Sequence, residues 1–493
     1  MGRFKDTRKI GYPAPFDWNA GNLISDTLAG ILAPLGLAPD ELRRDPSVLA
    51  LVQTVNAVGG LAATWLARTM DFGLNGHRTG QSDDLYPRSL TGSRPLRRST
   101  GTQDGSLNGV SVGPHEALTC LHPCTPSKFW RMQISVPKER ARGETRVALV
   151  PESVAKLVKA GATVVVEKDA GLLSGFTTEQ YEKAGAKIAA DFVATVSGAT
   201  VTCKVQPATA AEAAAMPQGS ALVSYWAPAG EAAALSALQA KGVTICALEK
   251  VPRITRAQSM DVLSSQATIS GYKAVLLGAG ALPKLLPMLS TAAGTLAPAK
   301  VFVIGAGVAG LQAIATARRL GGLVSGFDVR PAAAEQIQSL GATLMKLDLA
   351  SVSAEGEGGY ARAQTAEQQV DTQGAITRHV ADMDLVITTA AIPGRKAPVL
   401  ITDTAIRGMR QGSVIVDLAA ETGGNAEGTK AGETVQVHGV TIIGPTNLPA
   451  TAAFHASQMF SRNVLTFLNH VIKENVLTLA EADEITGPMM VKK

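Results

Sequence analysis

The sequence predicts an α/β protein with two doubly wound parallel-sheet lobes around a cleft, behind an N-terminal extension of unassigned and partly disordered character. Three observations carry this. From residue 132 onward, short apolar runs recur and alternate with helical patterns, as β-α units on a parallel sheet do. One such unit, 300–330, joins a strand pattern to a glycine turn, a helix and a second strand that ends in an acid. Residues 1 to about 130 share neither feature. A chain of 493 residues has room for two to four domains, so two lobes and an extension fit its length. At 46% hydrophobic and 18% charged it has the balance of an ordinary globular protein. The net charge of +5 is mild, and an aromatic content of 4% offers no stacking platform, which argues against nucleic acid as a partner. Four cysteines do not make a disulfide framework, so a reducing compartment is expected. The N-terminus is charged but lacks an apolar core behind it, unlike a signal peptide.

Residues 1–75 read as an unassigned helical segment. Asp45-Pro46-Ser47 resembles a helix start, and 47–67 is a 21-residue stretch without charge. It is long enough to cross a bilayer. Gln53, Thr54, Asn56, Thr64 and the Gly59-Gly60 pair dilute it, so a partly buried helix is the expectation. Residues 76–131 are rich in Gly, Ser, Thr, Arg and Pro and read as a disordered linker. His115, Cys120, His122 and Cys124 lie close enough to suggest zinc, but the spacing is not a clean finger pattern and a chance cluster is expected.

The first lobe begins at 132 and runs to about 268, with 445–485 completing it through a helix over 454–469. Its strands are expected at 132–136, 162–167, 186–188, 201–205, 222–225 and 243–248, with a helix over 153–160. The second lobe spans 269–444, with further strands at 344–347, 385–388, 413–417 and 440–443. Its opening unit is the most informative part of the chain. Val301, Phe302, Val303 and Ile304 form an apolar run suited to a buried parallel strand. Gly305-Ala306-Gly307-Val308-Ala309-Gly310 supplies G-x-G-x-x-G, a helix is expected over 311–320, and a second strand from 323 ends at Asp328. This is the dinucleotide-binding fingerprint. Gly305 permits the tight turn, Gly307 admits the pyrophosphate to the backbone, and Gly310 lets helix and strand pack closely. The helix N-terminus then faces the phosphates. Asp328 follows Gly305 by 23 positions, where a carboxylate bonds the ribose hydroxyls and repels a 2′-phosphate. NAD(H) is therefore expected over NADP(H). Arg330, two positions on, is read as a solvated or pyrophosphate-side charge.

Another polar segment has a pattern of its own. In 251–266, VPRITRAQSMDVLSSQ, Arg253 offers a planar donor fork, while Gln258, Asp261 and Ser264 recur every third residue and would share a helical face. A carboxamide needs a donor and an acceptor, which those three residues supply, although Asp261 and Ser264 also suit a helix cap. The glycine-rich stretch 356–364 carries Tyr360 and has the hinge freedom of a lid, or is an ordinary surface loop.

These segments resemble the alanine dehydrogenase and proton-translocating transhydrogenase superfamily over almost the whole of 132–475. The resemblance rests on PKERARGETRVALVPE at 137–152, on 251–266, on GGYA at 358–361, on TTAAIPGRKAPVLIT at 388–402 and on VDLAAETGGN at 416–425. Segment 251–266 most closely resembles the NAD(H)-binding subunit of nicotinamide nucleotide transhydrogenase. The resemblance implies NAD contacts at Arg253, Ile254, Thr255, Arg256, Gln258, Asp261 and Ser264. It extends them to Gly305, Gly307, Val308 and Gly310 in the turn, to Asp328, Val329 and Arg330 after the second strand, and to Gly359 and Tyr360 in a closing loop. It places Gln258 between two nicotinamides, as the catalytic residue. It further implies a homodimer, NADP(H) on a partner subunit, membrane-domain partners that couple protons, and a cytoplasmic position peripheral to the inner membrane.

Alanine dehydrogenase is the competing reading. In those enzymes a histidine follows a strand matching 222–225 and an aspartate lies in the stretch matching 416–424; here Ala227 and Glu421 stand at those positions. Arg146 and Lys204 match substrate-side bases, but transhydrogenases retain them too, and they can equally pair with local carboxylates. Without the histidine the obvious general acid is missing. Hydride exchange between two nicotinamides needs none, only apposed rings and excluded water. No second fingerprint follows residue 444. A non-catalytic NAD-sensing module remains a third reading, and the intact segment around Gln258 argues against it.

Overall fold

The computed structural model describes residues 132–226, 230–345, 366–391 and 395–491. The helical segment expected in 1–75, the linker at 76–131, the His115, Cys120, His122 and Cys124 cluster, Ala227, and the loop with Gly359 and Tyr360 lie outside these residues.

The first sheet has six strands. Chain order is β1 (Gln133–Val136), α1 (Pro151–Lys159), β2 (Thr163–Glu167), α2 (Thr178–Lys183), β3 (Lys187–Ala189), α3 (Phe192–Val196), β4 (Val201–Cys203), α4 (Ala210–Ala215), β5 (Ala221–Ser224), α5 (Ala232–Ala240) and β6 (Thr244–Ala247). In space the order is β3-β2-β1-β4-β5-β6, and every pairing is parallel. The helices begin where local chemistry favours it. Pro151 opens α1 with Glu152 in its first turn and Lys156 and Lys159 in its last, matching the helix dipole. Thr209 and Glu212 form a capping box on α4.

A long helix, α6 (Val262–Ala281), leads into the second lobe. There follow a hairpin of β7 (Leu289–Thr291) and β8 (Gly294–Leu296), then β9 (Lys300–Ile304), α7 (Val308–Arg319), β10 (Leu323–Phe327), α8 (Ala332–Ser339), β11 (Thr343–Leu344), α9 (Ala366–Val380), β12 (Leu385–Thr388), α10 (Asp403–Gly408), β13 (Val414–Asp417), β14 (Thr434–Val437) and β15 (Val440–Ile443). The sheet order is β11-β10-β9-β12-β13-β15-β14, parallel except for the β14–β15 hairpin. The chain closes with α11 (Ala453–Val471), a small hairpin of β16 (Ile472–Lys473) and β17 (Val476–Leu477), and α12 (Thr486–Met489).

Burial explains the apolar runs. Val301 and Val303 of β9 enter one core layer, and Phe302 and Ile304 enter the layer on the opposite face. A parallel strand covered on both sides needs no alternation of polar residues. The first lobe's core takes Phe460, Val464, Phe467 and Leu468 from α11, so the last long helix belongs to the first sheet. The described residues form one compact unit, and the chain crosses between its sheets twice. Helix α6 places Val262 in the first lobe's core and Ala274 and Val275 in the second's. The return crossing places Leu448 in the second core before α11 rejoins the first. Met490 pairs with Cys246 and the Val491 amide donates to the Ile245 carbonyl at 3.0 Å, which covers the β6 edge.

Several elements differ in detail from the sequence expectation. Helix α7 starts at Val308 and contains Gly310, because the close backbone approach there outweighs glycine's helix cost. Strand β11 is Thr343–Leu344. The β14–β15 hairpin turns at His438 and Gly439, both at positive φ of 52° and 81°, as a two-residue turn requires. Among the described residues no helix is long and apolar enough to cross a membrane.

Both sheets reverse their strand order once, between β1 and β4 and between β9 and β12. Ligands of such sheets bind beyond the strands' carboxyl ends at these switch points. Helix α6 is held near the second one by close packing. A Cβ on Gly271 would lie 2.1 Å from the Ala309 carbonyl oxygen in the first turn of α7. That oxygen is backbone and cannot step aside, so Gly271→Ala is expected to lower stability by about 1–3 kcal/mol in denaturant unfolding. An unchanged unfolding midpoint would mean that α6 and α7 are not in backbone contact.

Candidate functional site

The glycine turn lies at the carboxyl end of β9, at the β9/β12 switch point. Gly305 has φ of 93°, and its amide donates to the Phe327 carbonyl at 2.8 Å. A Cβ on Gly310 would lie 1.7 Å from the Gly305 carbonyl oxygen, so no side chain fits there. Thr389, which follows β12, donates its hydroxyl to the Gly305 carbonyl at 3.0 Å and ties the turn across the switch point. Gly307 is the N-cap of α7, and no side chain caps that helix. A Cβ on Gly307 would meet nothing within 4 Å. Open space thus stands before an uncapped helix N-terminus, a cradle that fits a pyrophosphate. Val308, the first helical residue, is 43% exposed at the rim.

Asp328 lies just past β10 and its side chain is almost fully buried. Its Oδ2 accepts the Ala306 amide at 2.7 Å and Arg330 Nη2 at 3.0 Å. Its Oδ1 accepts the Arg330 amide at 2.9 Å and Arg330 Nε at 2.9 Å. Arg330 is therefore not the solvated or pyrophosphate-side charge expected from sequence. Two residues past the strand end, the chain bends and folds the guanidinium back onto the carboxylate. A carboxylate offers about four acceptor sites. All are used here, so the ribose contact expected at Asp328 would require Arg330 to give way. Val329 is half-buried between them.

The segment 253–264 does not form one continuous helix. Thr255–Met260 is a 3-10 turn, Asp261 is extended with ψ of 94°, and α6 begins at Val262. The Ser264 amide donates to Asp261 Oδ1 at 2.9 Å and the Ser264 hydroxyl to Oδ2 at 2.5 Å. Asp261 thus leaves the helical face to cap α6, and the expected shared face of Gln258, Asp261 and Ser264 is broken there. Ala257 and Met260 root the turn in the first lobe's core, and Ile254 packs against it. Arg253, Thr255, Arg256 and Gln258 are exposed, and Arg256 is ion-paired with Glu484. Ser264 stands seven residues before Gly271 on α6, about 10 Å at 1.5 Å per residue. The helix therefore sets the spacing between this segment and the glycine turn.

The bases Arg146 and Lys204 are buried and neutralised. Arg146 forms a fork to Glu144, with Nε–Oε1 of 2.8 Å and Nη2–Oε2 of 2.7 Å. Its remaining donors reach Gln266 Oε1 and Asn447 Oδ1, each at 2.8 Å. Burial pushes the Glu144 carboxyl up, but the Arg146 guanidinium and the Gln206 amide outweigh it and hold the group at about 2. Lys204, beyond β4 at the first switch point, sits 3.1 Å from Glu212 and 3.4 Å from Glu139. Burial pushes Lys204 down, and the two carboxylates outweigh it and raise it. Glu421 accepts the Asn447 amide at 3.1 Å. Asn447 has φ of 45°, a strained value for a residue other than glycine.

The signature at 416–425 has a structural basis that sequence alone did not disclose. Buried Asp417 accepts bonds from the Thr388 and Thr429 hydroxyls and from the amides of Ala419, Asn425 and Ala426. Asn425 in turn bridges Ala390 and Pro398. The loops after β12 and β13 are knitted together beside the glycine turn.

These features define a two-lobed Rossmann-type protein with a dinucleotide-binding turn at its second switch point. The chain belongs to the alanine dehydrogenase/PNT family: the family's N-terminal domain matches residues 135–270 and its C-terminal domain matches 274–493. It is 44% identical over 365 residues to the first portion of NAD(P) transhydrogenase subunit alpha from Rhodospirillum rubrum, covering 72% of this chain and 95% of that protein. It is 33% identical over 326 residues to alanine dehydrogenase of Bacillus subtilis, covering 64% of this chain and 80% of that protein. Among solved structures, transhydrogenase from Sinorhizobium meliloti is 45% identical with a TM-score of 0.66, covering 73% of this chain and 97% of that one. An L-alanine dehydrogenase is 28% identical with a TM-score of 0.61, covering 73% and 94%.

Two outcomes follow from the charges. Asp328→Ala is expected to weaken NADH binding by about 1–3 kcal/mol. It also releases Arg330 to meet a 2′-phosphate, so the preference for NADH over NADPH should shrink; titration calorimetry with both nucleotides measures it, and unchanged preference would contradict the pairing. Glu144 is depressed from 4.5 to about 2, so its stabilisation is complete above pH 4.5 and is lost as pH falls toward 2. Glu144→Gln leaves Arg146 buried without its charge partner and should cost about 3–5 kcal/mol at pH 7, with a shallower acid limb. Urea unfolding from pH 7 to pH 3 tests both.

Proposed function

We propose that this chain is the NAD(H)-binding subunit of a nicotinamide nucleotide transhydrogenase. It exchanges a hydride directly with NADP(H) held by a partner subunit, and membrane-domain partners couple the exchange to proton translocation. The chain would work as a homodimer, peripheral to the cytoplasmic face of the inner membrane. One observation carries the choice against amino-acid chemistry. Arg146 and Lys204, the bases that would clamp an amino-acid carboxylate, are each buried against glutamates. Ala227 and Glu421 stand where alanine dehydrogenases have their histidine and aspartate. The 33% identity to alanine dehydrogenase of Bacillus subtilis keeps that enzyme as the second reading.

When bound, NADH supplies the hydride. The uncapped start of α7 at Gly307 and Val308 holds the pyrophosphate, and Asp328 selects the ribose. Asp261 and Ser264 offer polar atoms to the carboxamide, and Arg253 adds a charged fork. Gln258, exposed on its short turn, faces the partner's nicotinamide and orients the two rings. No residue has to move a proton, which agrees with the absence of a histidine at 227.

The test is to mix the purified chain with an NADP-binding subunit and follow reduction of an NADP analogue by NADH. Transfer by the mixture and none by either component alone supports the reading. NAD-dependent oxidation of L-alanine by the chain alone would overturn it. Gln258→Asn shortens the amide by one methylene, and a misplacement of about 1 Å costs roughly 10²-fold in rate. Transfer should fall on that scale while NADH affinity stays near wild type; equal falls in both would make Gln258 a binding residue only.

A further inference from the structure

The 3-10 turn Thr255–Met260 lies between Ile254 and Asp261, both in extended backbone. The Ala257 amide donates to the Ile254 carbonyl at 3.0 Å and the Asp261 amide to the Gln258 carbonyl at 3.3 Å. Short 3-10 turns have poor hydrogen-bond geometry, so such a segment depends on outside anchors. Its buried face is apolar, and its exposed face carries Gln258 and Ser259. One polar anchor comes from α11: Asn463 Nδ2 donates to the Ser259 carbonyl at 2.8 Å.

Asn463 is buried, at 8% exposure. Its other amide atom, Oδ1, is the buried side-chain oxygen that accepts no hydrogen bond among the described residues. Reversing the amide does not help, because it would set Oδ1 against the Ser259 carbonyl, two acceptors face to face. A buried unpaired acceptor is destabilising, and leucine, close to asparagine in shape, would remove it. The asparagine is thus a poor choice for packing and a good one for gripping the backbone immediately after Gln258.

We propose that Asn463 is a positioning residue for the proposed hydride transfer: through the Ser259 carbonyl it holds the 255–260 turn and so fixes where Gln258 reaches. This rests on the transhydrogenase reading for its functional consequence, while the anchoring itself does not. Ala257 and Met260 keep the turn attached to the core without Asn463, so its loss loosens the turn and does not unfold the lobe.

The experiment uses the full chain with Asn463→Leu, and with Asn463→Asp, which keeps the size but replaces the donor with an acceptor. Four quantities are measured: backbone hydrogen exchange across the chain, the thermal midpoint, NADH affinity, and hydride transfer to an NADP analogue in the mixture with an NADP-binding subunit. In Asn463→Leu, exchange should rise over 255–261 alone, with the thermal midpoint unchanged or raised. Transfer should fall by up to roughly 10²-fold, the scale of a misplaced reacting group, with NADH affinity near wild type. Asn463→Asp should share the loss of transfer. Exchange over 255–261 equal to wild type in both variants overturns the proposal, as does a drop in transfer that merely follows a global loss of stability. If the wild-type mixture transfers no hydride but exchange rises as described, the anchor stands and the transhydrogenase reading fails. If the wild type is active and exchange is unchanged, the anchor fails alone.

Discussion

The buried pair of Arg146 and Glu144 is the interaction on which the cleft depends. Among the described residues the two sheets are joined by two stretches of chain, α6 and the return from β15 to α11. Arg146 is bonded to both, through Gln266 on α6 and Asn447 on the return. Glu144 closes the arrangement by accepting from Asn447 Nδ2 at 3.1 Å. A buried guanidinium is tolerated when its charge is paired, and here a carboxylate and two amide oxygens accept from Nε, Nη1 and Nη2. Asn447 is held in a strained backbone conformation as part of this junction. The lobes are therefore tied to each other at Arg146.

That junction frames how a nucleotide is received. The glycine turn offers open space and unpaired helix amides, whereas Asp328 is engaged by Arg330. In the proposed function, binding at the ribose would be an exchange of partners, in which hydroxyls replace guanidinium donors on the Asp328 carboxylate. Such an exchange favours a nucleotide with two free hydroxyls, because hydroxyl donors can substitute for the arginine and a phosphate cannot.

Much of the second lobe was legible in the sequence, because each feature of the β9-α7-β10 unit has a local cause. Gly305 must take positive φ, Gly310 must lack a side chain, and β9 must be apolar on both faces. The central strands of both sheets were legible for the same reason, as runs of residues buried on two sides, whereas the edge strand β14, which is half exposed, was not expected. The 253–264 segment was readable as a polar constellation but not as a shape. A spacing of three suits a continuous helical face, and nothing in the spacing reveals that Asp261 leaves the helix to cap the next one. The anchors were hidden altogether. Gln266, Asn447 and Asn463 each act on partners 120, 301 and 204 positions away in the chain. A single polar residue, whether in a helix like Gln266 and Asn463 or in a loop like Asn447, gives no local sign of a partner that distant. Likewise Arg330 looked free because sequence shows its neighbour in the chain and not the bend that turns it back.

The proposed chemistry is direct transfer between two nicotinamides with no proton carrier, and one measurement addresses it. NADH carrying deuterium at the transferred C4 position is given to the chain with its NADP-binding partner, in ordinary water, and the reduced NADP product is analysed by mass spectrometry. Direct transfer predicts that the product carries one deuterium per hydride received and that none appears in solvent. Product without deuterium, or label washed into water, would contradict the account and point to an intermediate carrier within the cleft.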